Sequence, residues 1–196
     1  WVTAAQNYSI LAGDIQLYPY KSKRNVVKLK SDLYTRLNKF EEAANLLYNL
    51  WSNLEDENSK DASDILSMLA AQFKRRAIMG MQNEIVNSET DRNLLVQALN
   101  LYLEAFRRNI DDFYPLINAA YLQLMLKGTS TKSGIELATY IETVWGRYKG
   151  TNHWLDLTLA QCKLLKGDYS GCANDLTEAI EYHKEALGIF DIESTM

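Results

Sequence analysis

The chain has 196 residues, of which 47% are hydrophobic, with only two prolines and nine glycines. This composition argues against a disordered chain and favours helices over strands. A formal net charge of −4 and a pI near 5.3 give no overall electrostatic reason to bind nucleic acid or an anionic membrane. The longest apolar runs are far shorter than the roughly 20 residues that span a bilayer, so we expect a soluble, cytoplasmic protein with no membrane partner.

Residues 1–18 are predicted to form an entry helix, because apolar residues recur there at helical spacing. The helix is expected to end at Tyr18, because the residue before a proline disfavours the helical conformation. The helical pattern is already present at Trp1, where no initiating Met stands. We therefore expect the chain to be part of a longer protein.

Two helix pairs are predicted in the next part of the chain, at 25–54 and 61–109. Each has apolar and small residues at the spacing that turns one face of a helix towards its partner. The pattern of the second pair lapses between its two helices, so 78–90 is interpreted as an insertion or a prolonged, partly helical connector. The inner positions of the first helix of this pair are filled without a gap by Leu66, Leu69, Ala70 and Phe73.

Two further pairs are predicted at 113–147 and 151–184, and they show a repeat most clearly. A spacing of 34 residues (172 − 138 = 34) relates the second helix of one pair to that of the next: Ala138, Glu142 and Trp145 to Cys172, Leu176 and Ala179. This period is typical of tetratricopeptide helix pairs. The small residues of such a pair let its helices approach closely, while larger apolar residues fill the space between them.

The sequence therefore predicts an all-α fold, a right-handed tetratricopeptide-like α-solenoid of antiparallel helix pairs. We expect residues 1–196 to form a single helical-repeat domain, with 185–196 as a tail after the last pair. Stacked pairs bury one continuous core and leave a concave face free, so the repeat indicates a binding scaffold.

Three segments of this array resemble a known family. The segments are 64–76, which ends in Lys-Arg-Arg, 98–106, and 111–120, which contains Asp-Phe-Tyr-Pro. Together they resemble the TRAF-binding tetratricopeptide region of the apoptosis signal-regulating kinases, which are MAP kinase kinase kinases, and its bacterial relatives. The last segment is the most distinctive, because a generic repeat does not require its Pro115 and Asn118. The resemblance implies a helical regulatory scaffold beside other domains, with no catalysis of its own.

No catalytic, metal-binding or cofactor-binding site is predicted. His153 and His183 have no Cys, Asp or Glu at the spacing of a recognisable metal motif. Adjacent acidic residues do not face each other on a helix, so they do not form an acid–base pair. Cys162 and Cys172 are too sparse for a disulfide framework, and we expect both to be buried free thiols.

The concave groove is the predicted site of partner binding. The first helix of each tetratricopeptide pair lines this groove, so its outward positions are the candidates. Tyr114, Tyr121 and Trp154 are candidate anchors, because rigid aromatic side chains supply contact area at little entropic cost. The alternative is that these rings pack between adjacent repeats. With Ser67 in the same register, the candidate groove residues are Lys28, Asp32, Lys74, Tyr114, Asn118, Tyr121, Trp154 and Gln161.

The sequence favours a non-enzymatic scaffold that binds a protein or peptide segment in its groove, from a separate partner or from another domain of the same polypeptide. The alternative is a regulatory domain of a larger signalling or defence enzyme that acts through intramolecular contacts. A freestanding helical enzyme is disfavoured, because the sequence has no convergent catalytic set. No cofactor and no nucleic-acid partner are expected, and the oligomeric state is left open.

Overall fold

A computed structural model describes residues 23–54, 59–83, 89–127 and 132–183. All regular secondary structure in these residues is helical, which confirms the predicted all-α helical-repeat class. The elements are α1 (Lys23–Arg36), α2 (Phe40–Ser52), α3 (Lys60–Asn83), α4 (Glu89–Arg108), α5 (Phe113–Lys127), α6 (Lys132–Trp145), a 3-10 turn (Gly146–Tyr148), α7 (His153–Leu165) and α8 (Tyr169–His183). The predicted entry helix over 1–18 and the predicted tail over 185–196 lie outside the described residues.

The helices fall into two compact units, residues 1–109 and residues 110–196. Unit 1 contains α1 to α4 and unit 2 contains α5 to α8. Consecutive helices contact each other within each unit, as expected for helix pairs joined by short turns. A single domain over 1–196 stays a prediction.

Unit 1 has a core of leucine, isoleucine and alanine. Leu47 of α2 is buried in one cluster with Ile65 and Leu69 of α3, and Trp51 and Phe73 pack against this cluster. Burying each such aliphatic side chain contributes about 1.5–3 kcal/mol relative to leaving it exposed. The small residues that let the helices of this unit approach closely are Ala43, Ala70, Ala98 and Ala105, all fully buried.

Helix α3 continues into 78–90, the segment predicted to be an insertion or a prolonged, partly helical connector. Residues 78–83 form its last turns, 89–90 begin α4, and 84–88 lie outside the described residues. The packing gives the reason, since a Cβ on Gly80 would lie 2.6 Å from Oδ1 of Asp91 in α4. The missing side chain of this glycine lets the end of α3 lie against the start of α4.

In unit 2 the 34-residue spacing corresponds to matching buried positions. Ala138 and Trp145 of α6 are buried, and so are Cys172 and Ala179 at the equivalent positions of α8. Gly167 has a φ of 80° and ends α7 in the left-handed conformation that favours glycine, so the chain turns directly into α8. The sequence pattern and the packing therefore agree in this unit.

A buried carboxylate fixes α8 against α7 and against the turn before α7. The side chain of Asp175 is only 6% exposed, and its oxygens accept hydrogen bonds from Lys149 and Lys163, each at 2.7 Å. Lys149 also donates to Glu178 at 2.6 Å. Burial alone would raise the pKa of Asp175, but the hydrogen bonds from the two lysines outweigh burial and lower it. Asp175 is therefore charged at neutral pH.

Candidate partner-binding surface

Helices α5 and α7, the first helices of the two pairs in unit 2, begin in the same way. The Asp112 carboxylate accepts the backbone N–H of Tyr114 at 3.0 Å, and the Asn152 side chain accepts the backbone N–H of Trp154 at 2.8 Å. Asp and Asn favour this position because their oxygen satisfies an amide that the first helical turn leaves without an acceptor. Each cap therefore places an aromatic residue at the start of its helix.

The first turns of the two helices also share a side-chain hydrogen bond. Asn118 Nδ2 donates to the carbonyl of Tyr114 at 2.9 Å, and Thr158 Oγ1 donates to the carbonyl of Trp154 at 2.8 Å. Trp154 follows Tyr114 by 40 residues (154 − 114 = 40), which is more than one tetratricopeptide period of about 34 residues, yet the two residues make the same cap and side-chain contacts. Tyr114 and Trp154 are therefore equivalent positions of successive pairs.

Tyr114 and Trp154 are exposed residues of α5 and α7, two helices that contact each other. Their exposed fractions are 46% and 45%, while Tyr121 and Gln161 are half-buried and Asn118 is buried. Helical spacing puts Tyr114, Asn118 and Tyr121 on one side of α5, and Trp154 and Gln161 on the equivalent side of α7. We call these five residues the α5–α7 face.

Tyr121 and Trp154 of this face differ in how far neighbouring side chains cover them. Burial raises the pKa of the Tyr121 phenol, and Cys172 of α8 raises it further, so the hydroxyl remains a neutral donor and acceptor. The centre of the Trp154 ring lies 5.0 Å from that of His153, with an angle of 41° between the planes. The indole is thus supported by a neighbouring ring while nearly half of the residue is open to solvent.

A family model described as Tetratricopeptide Repeats-Sensor matches residues 5–123, more than half of the chain. The chain belongs to this family. The match includes every described helix of unit 1 and most of α5. Repeat domains of the tetratricopeptide type generally mediate protein–protein interaction, and their fold is typically non-enzymatic. No curated protein matches the chain.

In this tetratricopeptide repeats-sensor chain, two of the predicted groove residues in unit 1 have charged partners within the fold. Lys28 donates to Asp61 at 3.2 Å and to Asp64 at 2.6 Å, and only 15% of its side chain is exposed. Burial lowers the pKa of Lys28, but the hydrogen bonds to the two carboxylates outweigh burial and raise it. Asp32 pairs with Arg36 one turn further along α1, at 3.0 Å. Both charges are therefore already compensated inside unit 1.

Lys74 and Ser67, on α3 of the same unit, lie towards the interior. Lys74 is half-buried, and its ammonium nitrogen is 5.9 Å from the centre of the Tyr102 ring. Burial lowers the pKa of Lys74 to about 8, and the charge of Arg75 lowers it further. Ser67 is 3% exposed, and its hydroxyl has no hydrogen-bond partner among the described residues. Neither residue is exposed in the way that Tyr114 and Trp154 are.

One cavity of this tetratricopeptide repeats-sensor chain was missed by sequence reasoning. It is a cavity of about 260 Å³ between α2 and α3, which we call the α2–α3 cavity. Its walls come from two helices, and no short sequence motif includes residues of both. The nearest feature noted in the sequence is the Lys-Arg-Arg end of segment 64–76, which contains the lining residue Arg76. The lining residues are Phe40, Glu41, Ala44, Asn45, Gln72, Phe73 and Arg76.

The reactive groups of the described residues do not converge on a metal or nucleophile site. No group of three His, Cys, Asp or Glu residues in the described ranges could hold a metal ion. Cys162 and Cys172 are both buried and free, which confirms the prediction. Burial raises the pKa of Cys162 to about 12, and Glu142 adds to this effect, so the thiol is a poor nucleophile. Within the described ranges, no helix combines the length and the apolarity that a membrane crossing needs.

Proposed function

We propose that this chain binds an extended segment of a protein partner across the α5–α7 face. The observation that carries the proposal is the pair of exposed rings of Tyr114 and Trp154. They stand at equivalent positions, each at the capped start of one of two adjacent helices. Aromatic anchors give a large contact area for a small loss of conformational entropy, and they dominate the energetics of protein interfaces. If these rings only packed between repeats, they would not be nearly half exposed.

The polar residues of the face suit the backbone of an extended segment. A backbone outside a helix or sheet carries N–H and C=O groups that need partners. The Gln161 amide and the Tyr121 hydroxyl each supply both a donor and an acceptor. An extended segment can therefore place apolar side chains on the two rings and hydrogen-bond to the polar residues of the face.

The sequence resemblance supports the same surface. Tyr114 and Asn118 lie in 111–120, the segment most similar to the TRAF-binding region of the apoptosis signal-regulating kinases. The word Sensor in the family description accords with a domain whose occupancy is read by the rest of a signalling protein. The bound segment belongs either to a separate protein or to another domain of the same polypeptide.

Peptides selected from a random library on the whole chain test this proposal. Their Kd values are measured for the wild type, for the Tyr114→Ala, Trp154→Ala double variant, and for Tyr169→Ala. An anchor residue of an interface contributes about 2 kcal/mol, so the double variant should bind at least about tenfold more weakly. Tyr169 is 72% exposed but belongs to α8, so its variant should bind like the wild type.

Two results would count against the face. Unchanged affinity in the double variant, with circular dichroism showing that its helices are retained, would reject the α5–α7 face as the binding site. An equal loss of affinity in Tyr169→Ala would place binding on α8 instead.

A further inference from the structure

The α2–α3 cavity belongs to unit 1 and shares no residue with the α5–α7 face. Its volume of about 260 Å³ lies just below the range of about 300–1,000 Å³ that holds drug-sized ligands, so it suits a smaller molecule or a single end group. Phe40 of α2 and Phe73 of α3 give it apolar walls, with the small side chain of Ala44 beside them. The cavity therefore favours a ligand with a compact apolar body.

On the buried side of the cavity, Gln72 carries a hydrogen-bond donor without an acceptor. The residue is 3% exposed; its Oε1 accepts from Thr35 at 2.7 Å, and its Nε2 donates to the carbonyl of Met68 at 3.2 Å. The carbonyl of Met68 can only accept, so it fixes which way the amide points. The second N–H of Nε2 has no acceptor in the part of the chain that the structure describes. An unpaired buried donor is costly, so a ligand that brings an acceptor is favoured.

The rim of the cavity carries an ion pair and an amide. The Arg76 guanidinium has five N–H groups, and its Nη1 lies 2.6 Å from Oε1 of Glu41. Asn45 adds a side-chain amide. Helix α2 begins at Phe40 without a side-chain cap, and the positive end of its dipole lies beside the cavity with Glu41 and Glu42 in its first turn. With Glu41 paired to Arg76, the amide of Gln72 and the other guanidinium N–H groups of Arg76 favour a ligand that accepts hydrogen bonds.

We propose that the α2–α3 cavity binds a carboxylate carried on a compact apolar body. The apolar part lies between Phe40 and Phe73, and the carboxylate accepts the free N–H of Gln72 and pairs with Arg76. A carboxylate only accepts hydrogen bonds, and a guanidinium binds it in bidentate geometry. Glu41 already holds Arg76 with a carboxylate, so it is an internal competitor that the ligand displaces.

Two probes separate the charge of the ligand from its shape. Phenylacetate and the uncharged phenylacetamide are titrated into the whole chain, and their Kd values are measured by ligand-observed NMR or calorimetry. Phenylacetate should bind, and phenylacetamide should bind at least about tenfold more weakly, because hydrogen bonds to a charged group are the stronger ones.

Neighbouring residues of the same charge provide matched controls. Arg76→Gln should weaken phenylacetate binding at least about tenfold, whereas Arg75→Gln, an exposed neighbour that does not line the cavity, should leave it unchanged. Glu41→Gln should tighten binding because it removes the competitor. Glu42→Gln, the adjacent exposed carboxylate outside the cavity, should have no effect.

The site would be overturned by equal binding of the two probes, by equal losses in the two arginine variants, or by no phenylacetate binding to either the wild type or Glu41→Gln.

A short peptide ending in Phe, with a free or an amidated C-terminus, identifies the source of the carboxylate. Competition with phenylacetate by the free acid alone supports the C-terminus of a protein, and no competition supports a free small carboxylate. The Tyr114→Ala, Trp154→Ala variant should keep phenylacetate binding, so this site and the proposed function fail separately.

Discussion

Replacing Asp175 with Asn is expected to destabilise unit 2 by about 2–3 kcal/mol. The wild-type carboxylate is 6% exposed and binds Lys149 and Lys163 at 2.7 Å each. Removing one member of a fully buried ion pair costs about 3–5 kcal/mol, because a buried charge is left uncompensated. Here the side chains of the two lysines are 38% and 31% exposed. Water therefore replaces part of the lost interaction and reduces the cost to about 2–3 kcal/mol.

Urea unfolding at neutral pH, followed by circular dichroism, measures the effect of this substitution on the free energy of unfolding. Glu178→Gln is the control, because it also removes a bond to Lys149. The side chain of Glu178 is 52% exposed, so we expect its loss to cost less than about 1 kcal/mol. The difference between the two variants reports the burial of Asp175 together with its bond to Lys163.

The pH dependence of the same difference is a second check on Asp175. Its pKa is lowered in the folded state, because the hydrogen bonds from the two lysines outweigh burial. Stabilisation by its charge is complete above the unfolded pKa of about 3.9 and is lost as the pH falls through the folded value. The gap between the wild type and Asp175→Asn should be constant above about pH 5 and close in acid. A gap at neutral pH no larger than that of Glu178→Gln would refute the reasoning.

Three further predictions concern packing and titration. Gly134→Ala should lower the unfolding temperature and reduce the free energy of unfolding by about 1–3 kcal/mol. The reason is that its Cβ would lie 2.9 Å from a backbone oxygen of α5. Gly146→Ala is the control and should be nearly neutral, because a Cβ there has nothing within 4 Å. Lys74→Met should stabilise the chain in urea at neutral pH and lose that advantage towards about pH 10, because burial lowers the Lys74 pKa to about 8. A thiol reagent at mildly alkaline pH should label neither cysteine before unfolding, since the pKa of Cys162 is about 12 and Cys172 is buried.

Each of these three has a clear contrary result. Equal stability of the two glycine variants would show that α5 and α6 do not approach as closely as described. A pH-independent effect of Lys74→Met would mean that the lysine titrates in its ordinary range. Rapid labelling of either cysteine in the native chain would show that its surroundings open in solution.

The helix pairs could be predicted because the spacing of apolar and small residues along each helix indicates its buried face. The positions of Ala138 and Cys172, one repeat apart, are small because helices cross there, and both are buried. The last turns of α3 were not predicted as such, since they depend on the contact between Gly80 and Asp91 of another helix. A local apolar pattern cannot show a contact of that kind.

The candidate site was predicted in part. The sequence identified Tyr114 and Trp154, but it could not decide between exposed anchors and rings packed between repeats, because burial depends on neighbouring helices. Lys28 illustrates the same limit, since its partners Asp61 and Asp64 are 33 and 36 residues away. The α2–α3 cavity likewise joins residues of two helices that no sequence period relates.

NMR of the nitrogen-15-labelled chain with a library-selected peptide tests the α5–α7 face most directly. The indole N–H resonance of Trp154 is assigned from its loss in Trp154→Phe. We expect this resonance to shift as the peptide saturates the chain, while that of Trp145, which is 8% exposed, stays in place. A tightly bound peptide that leaves the Trp154 resonance unchanged would contradict binding on this face.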